Sequence, residues 1–179
     1  MTGVDVVADE AIAERTDRFF VADVEGGLPE EVGDGYDVVI AADVIEHVRN
    51  PDELLADLAG RMDPAGTIIA SVPNFGHWYP RLRTVAGLFD YDQRGILDRT
   101  HVRFFTRRSF RRTLANTGLV TTTESYAGLP LDVLGVEGAL GTIVAAGDGL
   151  ARRVWPTLFA YQFVVRLETA PHLLDPPVT

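Results

Sequence analysis

The chain has 179 residues, 46% of them hydrophobic, and carries 16 basic against 26 acidic side chains for a formal net charge of -10. These values predict one soluble globular domain over residues 1–179. The acidic balance argues against binding to nucleic acid or to an anionic membrane, because both require a positive surface. The sequence contains no cysteine, which excludes disulfides, thiolate metal sites and a cysteine nucleophile and fits a reducing, cytoplasmic location.

No targeting or membrane-spanning segment is predicted. The N-terminus lacks the positively charged start and the apolar run of a secretory signal. The most apolar stretches, residues 129–146 and 154–167, are interrupted by charged residues, glycine or proline, and neither reaches the roughly 20 apolar residues that span a bilayer. The proline-rich residues 170–179 predict a flexible tail.

The first part of the chain alternates short apolar runs with a helical segment. Residues 4–7 and 18–22 predict two strands, separated by one or two helical turns over residues 9–15. Residues 36–42, with the sequence YDVVIAA, form a nearly continuous apolar run. This pattern is typical of a parallel strand that is covered on both faces, so residues 36–42 are predicted to form a central strand.

A helix is predicted to follow the central strand. Asn50 stands at the cap position, Pro51 suits the first helical position, and Glu53 stands where its carboxylate can reach back to the N–H of the cap. Apolar residues then recur at helical spacing as far as Met62. The sequence PAG at residues 64–66 is predicted to end the helix.

A long segment rich in aromatic residues and arginine divides the later elements. Residues 67–72 predict a buried strand, and residues 73–98 then form a long segment whose length without clear periodicity is typical of a binding loop. The apolar residues within 78–89 predict either a lid over the acceptor or a membrane contact, with a helix packed on the sheet as the alternative. A helix over residues 106–114 and strands over residues 119–126 and 158–168 follow. Alternating strands and helices predict a three-layer α/β sheet, and such sheets bind ligands at the carboxyl ends of their strands.

Acidic residues stand at the predicted carboxyl ends of three strands. Asp5 lies where a nucleotide-binding sheet accepts hydrogen bonds from ribose hydroxyls, and Asp23 could accept one from an adenine amino group. Capping a turn or a loop is the alternative role for both. The sequence DVIEH, residues 43–47, follows the central strand, where the reactive end of a bound cofactor would lie. The alternative for His47 is a histidine of the core.

Other catalytic classes lack their sequence patterns. No G-x-S-x-G elbow is present, which argues against a serine hydrolase. The glycine fingerprint of a nicotinamide-dependent enzyme is also missing. The histidines and carboxylates show no ligand spacing such as H-E-x-x-H, so no metal site is predicted.

A resemblance to a known family runs along essentially the whole chain. Residues 36–74, YDVVIAADVIEHVRNPDELLADLAGRMDPAGTIIASVPN, resemble the fourth strand, following helix and fifth strand of the class I S-adenosylmethionine-dependent methyltransferases. The runs GVDVVADEA and FFVADVEGGLP resemble the second and third strands of that family. The runs NFGHWYPRLRTVAGLFDYDQRG, THVRFFTRRSF and LFAYQFV resemble a bacterial subgroup associated with glycosyltransferases and cell-surface glycan genes. The resemblance implies a Rossmann-like sheet that is mostly parallel with an antiparallel last strand.

The resemblance implies S-adenosylmethionine as the cofactor and assigns six residues to it. Asp5 would hold the ribose hydroxyls, and Asp23 with Val24 would bind the adenine. The residues that would border the methionine end of the cofactor are Ala41, Ala42 and Asp43.

One part of the family's pattern is missing. The family begins with a strand and a glycine-rich turn that leads into a helix, whereas only residues 1–4 precede Asp5 here. Such a turn lets the backbone approach the cofactor and points N–H groups at it. We therefore expect an N-terminally incomplete, truncated domain, with a strand absent between residues 4–7 and 36–42 and with low cofactor affinity.

Methyl transfer to a hydroxyl requires a general base, and histidine is its natural supplier near neutral pH. His77 and His101 are the candidates for this catalytic role, with His47 third, and a structural hydrogen-bonding role is the alternative for each. Six arginines between residues 99 and 112 predict either a site for an anionic acceptor or ion pairs with the protein's own acids.

These observations predict an S-adenosylmethionine-dependent methyltransferase that acts on a small molecule or a cell-surface glycan and is impaired by its missing strand. The alternative is a non-catalytic Rossmann-like module that has lost cofactor binding and serves as a partner subunit. The candidate partners are a second copy of the chain and a glycosyltransferase.

Overall fold

Strands and helices alternate through residues 1–131, 135–136 and 138–169, which are the residues that this computed structural model describes. The strands are β1 (Thr2–Asp5), β2 (Arg18–Val21), β3 (Tyr36–Ala42), β4 (Met62–Pro73), β5 (Leu119–Ala127) and β6 (Gln162–Thr169). The helices are α1 (Glu10–Ala13), α2 (Pro51–Gly60), α3 (Trp78–Val85), α4 (Arg107–Asn116), α5 (Gly138–Val154) and α6 (Pro156–Phe159). The predicted tail over residues 170–179 lies outside the described residues.

The strands form two sheets. The larger has the order β3-β4-β6-β5, in which β3 and β4 are parallel and β6 is antiparallel to both of its neighbours. The smaller consists of β1 and β2, which are parallel. The predicted mixed sheet, mostly parallel with an antiparallel last strand, is therefore confirmed.

The prediction that residues 36–42 form a central strand, covered on both faces, is wrong in this structure. β3 has the predicted bounds, but in the described residues its only hydrogen-bonded neighbour is β4. Val38 and Ile40 are 54% and 69% exposed, and both line a cleft that also touches Thr2 and Val4 of β1. An apolar run predicts a strand that is suited to burial. Whether the strand is buried depends on the strands and helices that other parts of the chain place beside it.

The hydrophobic core lies between the larger sheet and helices α2 and α4. Leu55 of α2 and Phe110 of α4 meet Ile68 of β4 and Phe163 of β6 in one buried cluster. Helix α2 begins at Pro51 as predicted, but the side chain of Asn50 makes no capping hydrogen bond with the helix. Local sequence chemistry thus placed the helix start correctly while the expected reciprocal cap does not form.

Two segments of the later chain contain short helices. In the long segment over residues 73–98, the helix alternative is the one that the structure shows, since α3 lies there and His77 caps its N-terminus by accepting the N–H of Tyr79. The predicted last strand over residues 158–168 begins only at Gln162, because the preceding residues form α6 with Pro156 in its first turn. No helix of the described residues is long and apolar enough to cross a bilayer.

Candidate active site at the carboxyl ends of the strands

The carboxyl ends of β3 and β4 and the amino end of β6 meet around Asp43. The Asp43 carboxylate accepts the hydroxyl of Ser71 at 2.9 Å and the amide Nε2 of Gln162 at 2.9 and 2.8 Å. The Ser71 hydroxyl also accepts the backbone N–H of Asp43 at 3.2 Å. Asp43 has a backbone φ of 53°, and among the non-glycine residues of the described chain no other has a positive φ. These bonds stabilise a left-handed conformation that most side chains avoid.

The two acidic residues predicted to bind the ribose and the adenine lie at the ends of the smaller sheet. Asp5 ends β1, and its Oδ1 accepts the backbone N–H of Val7 at 2.9 Å. Asp23 follows β2, and its Oδ1 accepts the N–H of Glu25 at 3.0 Å as the cap of a short 3₁₀ turn. Within the described residues, Oδ2 of each aspartate makes no hydrogen bond. Both capping alternatives are therefore present, and each carboxylate retains one oxygen for a ligand.

A mostly apolar cleft separates β1 from β3. Its volume is about 170 Å³, and its lining includes Val4 of β1, Val39 of β3 and two residues predicted to touch the cofactor, Val24 and Ala41. Ala42, the next predicted cofactor residue, is exposed and is not part of that lining. Ligand pockets usually enclose about 300–1,000 Å³, so the cleft in this form is too small for a nucleoside cofactor.

Beyond Asp43, the chain brings together one carboxylate and two imidazoles. Glu46 and His47 belong to a 3₁₀ turn over Ile45–His47, and His101 reaches them from a segment 54 residues further along. The His101 Nε2 lies 3.9 Å from the Glu46 Oε1, and the rings of His47 and His101 meet edge to face with centroids 4.9 Å apart. The candidate ligand atoms of Glu46, His47 and His101 all lie within 4.8 Å of one another.

Burial dominates the electrostatics of this cluster. It raises the pKa of the Glu46 carboxyl to about 8, with a further contribution from the charge of Asp43. It lowers the pKa of His101, so this imidazole favours its neutral form. A neutral imidazole beside Glu46 can accept a proton or bind a cation.

His77, the other predicted catalytic histidine, lies in a different environment. It is fully buried, and its ring packs near Trp78 and Tyr161. Its Nδ1 accepts the N–H of Tyr79, whereas its Nε2 has no hydrogen-bond partner among the described residues. Burial lowers the pKa of His77 to about 4. The structure therefore brings His101 together with His47 and Glu46, and places His77 at the cap of α3.

Several of the clustered arginines bind groups of the protein. Arg107 donates from Nε to the Glu124 carboxylate at 2.8 Å, and Arg111 donates to the same carboxylate. Arg103 donates from Nε to the backbone oxygen of Arg49 at 2.7 Å. For Arg107 and Arg111, the ion-pair alternative is the one that the structure shows.

Sequence reasoning missed Glu46 as a site residue. The adjacent Glu-His pair in DVIEH was the only local signal, because the third member, His101, joins the pair through tertiary structure. Spacing rules such as H-E-x-x-H detect ligands that share one helix, whereas this cluster combines a short turn with a distant loop.

Comparisons with known proteins agree with this fold. A family model described as a methyltransferase domain matches residues 1–124. A search of curated proteins found no significant match. An S-adenosylmethionine-dependent methyltransferase from Archaeoglobus fulgidus is 17% identical, with a TM-score of 0.56, over 94% of this chain and 75% of the other.

Two further solved structures show the same fold. An O-methyltransferase from a polyketide synthase of Brevibacillus brevis, in complex with S-adenosylhomocysteine, is 16% identical, with a TM-score of 0.53, over 96% of this chain and 59% of the other. A 1,6-didemethyltoxoflavin-N1-methyltransferase from Burkholderia thailandensis is 15% identical, with a TM-score of 0.53, over 94% of this chain and 60% of the other. The predicted enzyme class is confirmed by the match to the family model. The chain therefore belongs to the methyltransferase-domain family.

Proposed function

We propose that this protein transfers the methyl group of S-adenosylmethionine to a hydroxyl of a small-molecule or cell-surface glycan acceptor. The observation that carries the proposal is the position of the His101 imidazole, whose Nε2 lies 3.9 Å from the Glu46 Oε1 near the carboxyl end of β3. When bound, S-adenosylmethionine supplies an activated methyl on its sulfur. The protein's own task is to hold the acceptor oxygen there and to assist the loss of its proton.

The cofactor residues fit this role in part. Asp5 and Asp23 each keep one carboxylate oxygen without a hydrogen bond in the described chain, and such oxygens suit ribose hydroxyls and an amino group. Both oxygens of the Asp43 carboxylate are instead occupied by Ser71 and Gln162. Asp43 would therefore border the methionine end through its backbone and through the shape that its side-chain bonds maintain.

The facing edges of β1 and β3 could accommodate a further strand. β1 and β3 line the same cleft, and in the described residues neither pairs with another strand on that side. The apolar side chains Val38 and Ile40 remain exposed there. A further strand, ending in a glycine-rich turn, would cover these side chains and would bring backbone N–H groups to the cofactor.

Of the two predicted catalytic histidines, His101 suits the acceptor better. His101 keeps Nε2 directed at the Glu46 carboxyl, next to the end of β3. His77 uses Nδ1 to cap α3 and is fully buried. We therefore assign the removal of the acceptor's proton to the cluster of Glu46, His47 and His101. We assign to His77 the positioning of α3.

Calorimetric titration with S-adenosylhomocysteine tests the proposal. The 179-residue chain would be compared with a form that carries a strand, glycine-rich turn and helix fused ahead of Met1. We expect micromolar binding in the extended form and much weaker binding in the other. In the extended form, Asp5→Asn and Asp23→Asn should each weaken binding about tenfold or more, since each removes a charge-assisted hydrogen bond. Asp37→Asn is the matched control, because Asp37 is exposed near the opposite end of β3.

Two results would overturn the proposal. Absence of binding in both forms would favour the non-catalytic partner module. Equal losses in Asp5→Asn and Asp37→Asn would show that the carboxylates act through net charge alone and do not contact the cofactor.

A further inference from the structure

The cluster of Glu46, His47 and His101 has the composition of a metal site. Its ligand atoms lie within 4.8 Å of one another, although Glu46 and His101 are far apart in sequence. Two imidazoles and one carboxylate form the protein ligand set of many catalytic zinc sites, in which a fourth position stays open for water or substrate.

Backbone carbonyl oxygens hold both imidazoles of the cluster in place. The Nδ1 of His47 lies 3.1 Å from the backbone oxygen of Thr100, and the Nδ1 of His101 lies 3.3 Å from that of Ile96. A carbonyl oxygen can only accept a hydrogen bond, so each Nδ1 carries a proton, and in the neutral ring the lone pair is then on Nε2. Metal-binding histidines show this same arrangement, in which a backbone carbonyl fixes the tautomer and the ring orientation.

The carboxylate of Glu46 supplies a second, independent observation. Glu46 is 1% exposed, and neither of its carboxylate oxygens has a hydrogen-bond partner in the described part of the chain. Its backbone oxygen, in contrast, accepts the N–H groups of Val102 and Arg103 at 2.9 and 3.0 Å. The backbone therefore anchors the His101 segment to the turn, while the side chain is left aimed at the imidazoles without a partner.

We propose that Glu46, His47 and His101 bind one divalent transition-metal ion, with zinc as the best match to the ligand set. Bonds of 2.0–2.1 Å in a tetrahedron place ligand atoms roughly 3.3 Å apart, so the 3.9 Å between the His101 Nε2 and the Glu46 Oε1 must shorten by about half an ångström on binding. His47 is only half-buried, which leaves one side of the cluster open to an acceptor.

This inference deepens the proposed function and rests on it for the role of the ion. An ion held by Glu46, His47 and His101 would lower the pKa of an acceptor hydroxyl bound to it, and this effect would take the place of proton removal by the free His101 ring. Methyl transfer would still form the bond between the acceptor oxygen and the methyl carbon and break the carbon–sulfur bond, whose electron pair stays on the sulfur. Metal binding itself needs no cofactor, so it can succeed or fail independently of methyl transfer.

The test is zinc titration of the chelator-treated 179-residue protein, followed by calorimetry and by competition with a chromophoric chelator. We expect one zinc per chain and a visible absorption band of four-coordinate geometry when Co²⁺ replaces zinc. Glu46→Gln, His47→Gln and His101→Gln should each weaken binding about 100-fold or more, because even outer-shell changes at metal sites cost 10–100-fold. His77→Asn is the matched control, since it removes another buried imidazole and should leave zinc affinity unchanged.

Thermal unfolding distinguishes a lost ligand from a lost fold. Glu46→Gln in chelator should melt at or above the temperature of the parent protein, because it removes a buried carboxyl group without a partner. Zinc should raise the melting temperature of the parent and of His77→Asn but not that of Glu46→Gln. Zinc binding that survives Glu46→Gln and His101→Gln, or that His77→Asn weakens equally, would overturn the proposal and indicate adventitious binding to surface acids.

Discussion

Replacement of His77 with asparagine is expected to reduce the decrease in unfolding free energy that the protein shows between pH 7 and pH 4. His77 is fully buried, and its Nδ1 accepts the N–H of Tyr79 at the start of α3. Asparagine is among the best N-cap residues, so His77→Asn should retain this hydrogen bond while removing the titrating ring. The comparison thereby separates the proton linkage of His77 from its capping role.

The size and sign of the effect follow from the pKa of His77, which burial lowers from its ordinary value of 6.5 to about 4. A depressed histidine pKa means that the folded state holds the neutral ring. Its contribution to stability is therefore fully present above pH 6.5 and is lost as the pH falls towards 4. A shift of this size corresponds to about 3 kcal/mol across that window, at 1.36 kcal/mol per pKa unit.

The measurement is urea unfolding followed by circular dichroism at steps between pH 4 and pH 7.5. The difference in unfolding free energy between the parent protein and His77→Asn should change by up to about 3 kcal/mol between pH 7 and pH 4, with the parent losing more. Any cavity left by the smaller side chain shifts the whole curve by a constant and does not alter this difference. An NMR titration of the His77 ring checks the pKa directly.

Thr106→Asn provides the matched control, because Thr106 caps α4 by accepting the N–H of Ser109 and does not titrate. Its difference curve against the parent protein should be flat from pH 4 to pH 7.5. A flat curve for His77→Asn as well would refute the reasoning, since it would mean that the buried ring keeps an ordinary pKa through hydration of its Nε2.

Two further changes test the contacts around the site. Glu124→Gln should lower the unfolding free energy by about 1–2 kcal/mol at pH 7, since it breaks the ion pairs with Arg107 and Arg111. The effect should fade below pH 4.5, because these arginines hold the pKa of Glu124 below its usual range against the opposing effect of burial. Asn74→Ala should cost about 2–4 kcal/mol in urea unfolding, because the buried amide of Asn74 donates to Thr157 and Ala160 and accepts from Gly76.

The elements that sequence reasoning located correctly are those specified by local chemistry. The bounds of β3 follow from its apolar run, and α2 begins at Pro51, whose ring suits a first helical turn. The environment of β3 could not be predicted in this way, since it depends on which strands pair with its edges. The start of β4 was also missed, because Met62 enters the strand through its pairing with Tyr36 of β3.

The candidate site was predictable in its position and only partly in its members. Asp43 follows a strand that the sequence reveals, so its place at the carboxyl edge was foreseeable. Its partner Gln162 lies 119 residues away and its partner Ser71 lies 28 residues away. Contacts of this kind arise from the order of strands in the sheet, which places β4 between β3 and β6. No local pattern carries that order.

The buried side chain of Glu46 is not explained by the stability of the fold. Because burial raises the pKa of Glu46 to about 8, the folded protein holds a proton at pH 7 that the unfolded chain releases, which costs about 3 kcal/mol. This is a large fraction of the 5–15 kcal/mol by which a domain is stable. The turn that carries Glu46 is already anchored through its backbone oxygen, so the side chain adds nothing to that contact. The ionised carboxylate becomes favourable when a positive group joins it, and the proposed metal ion, bound together with His47 and His101, would be such a group.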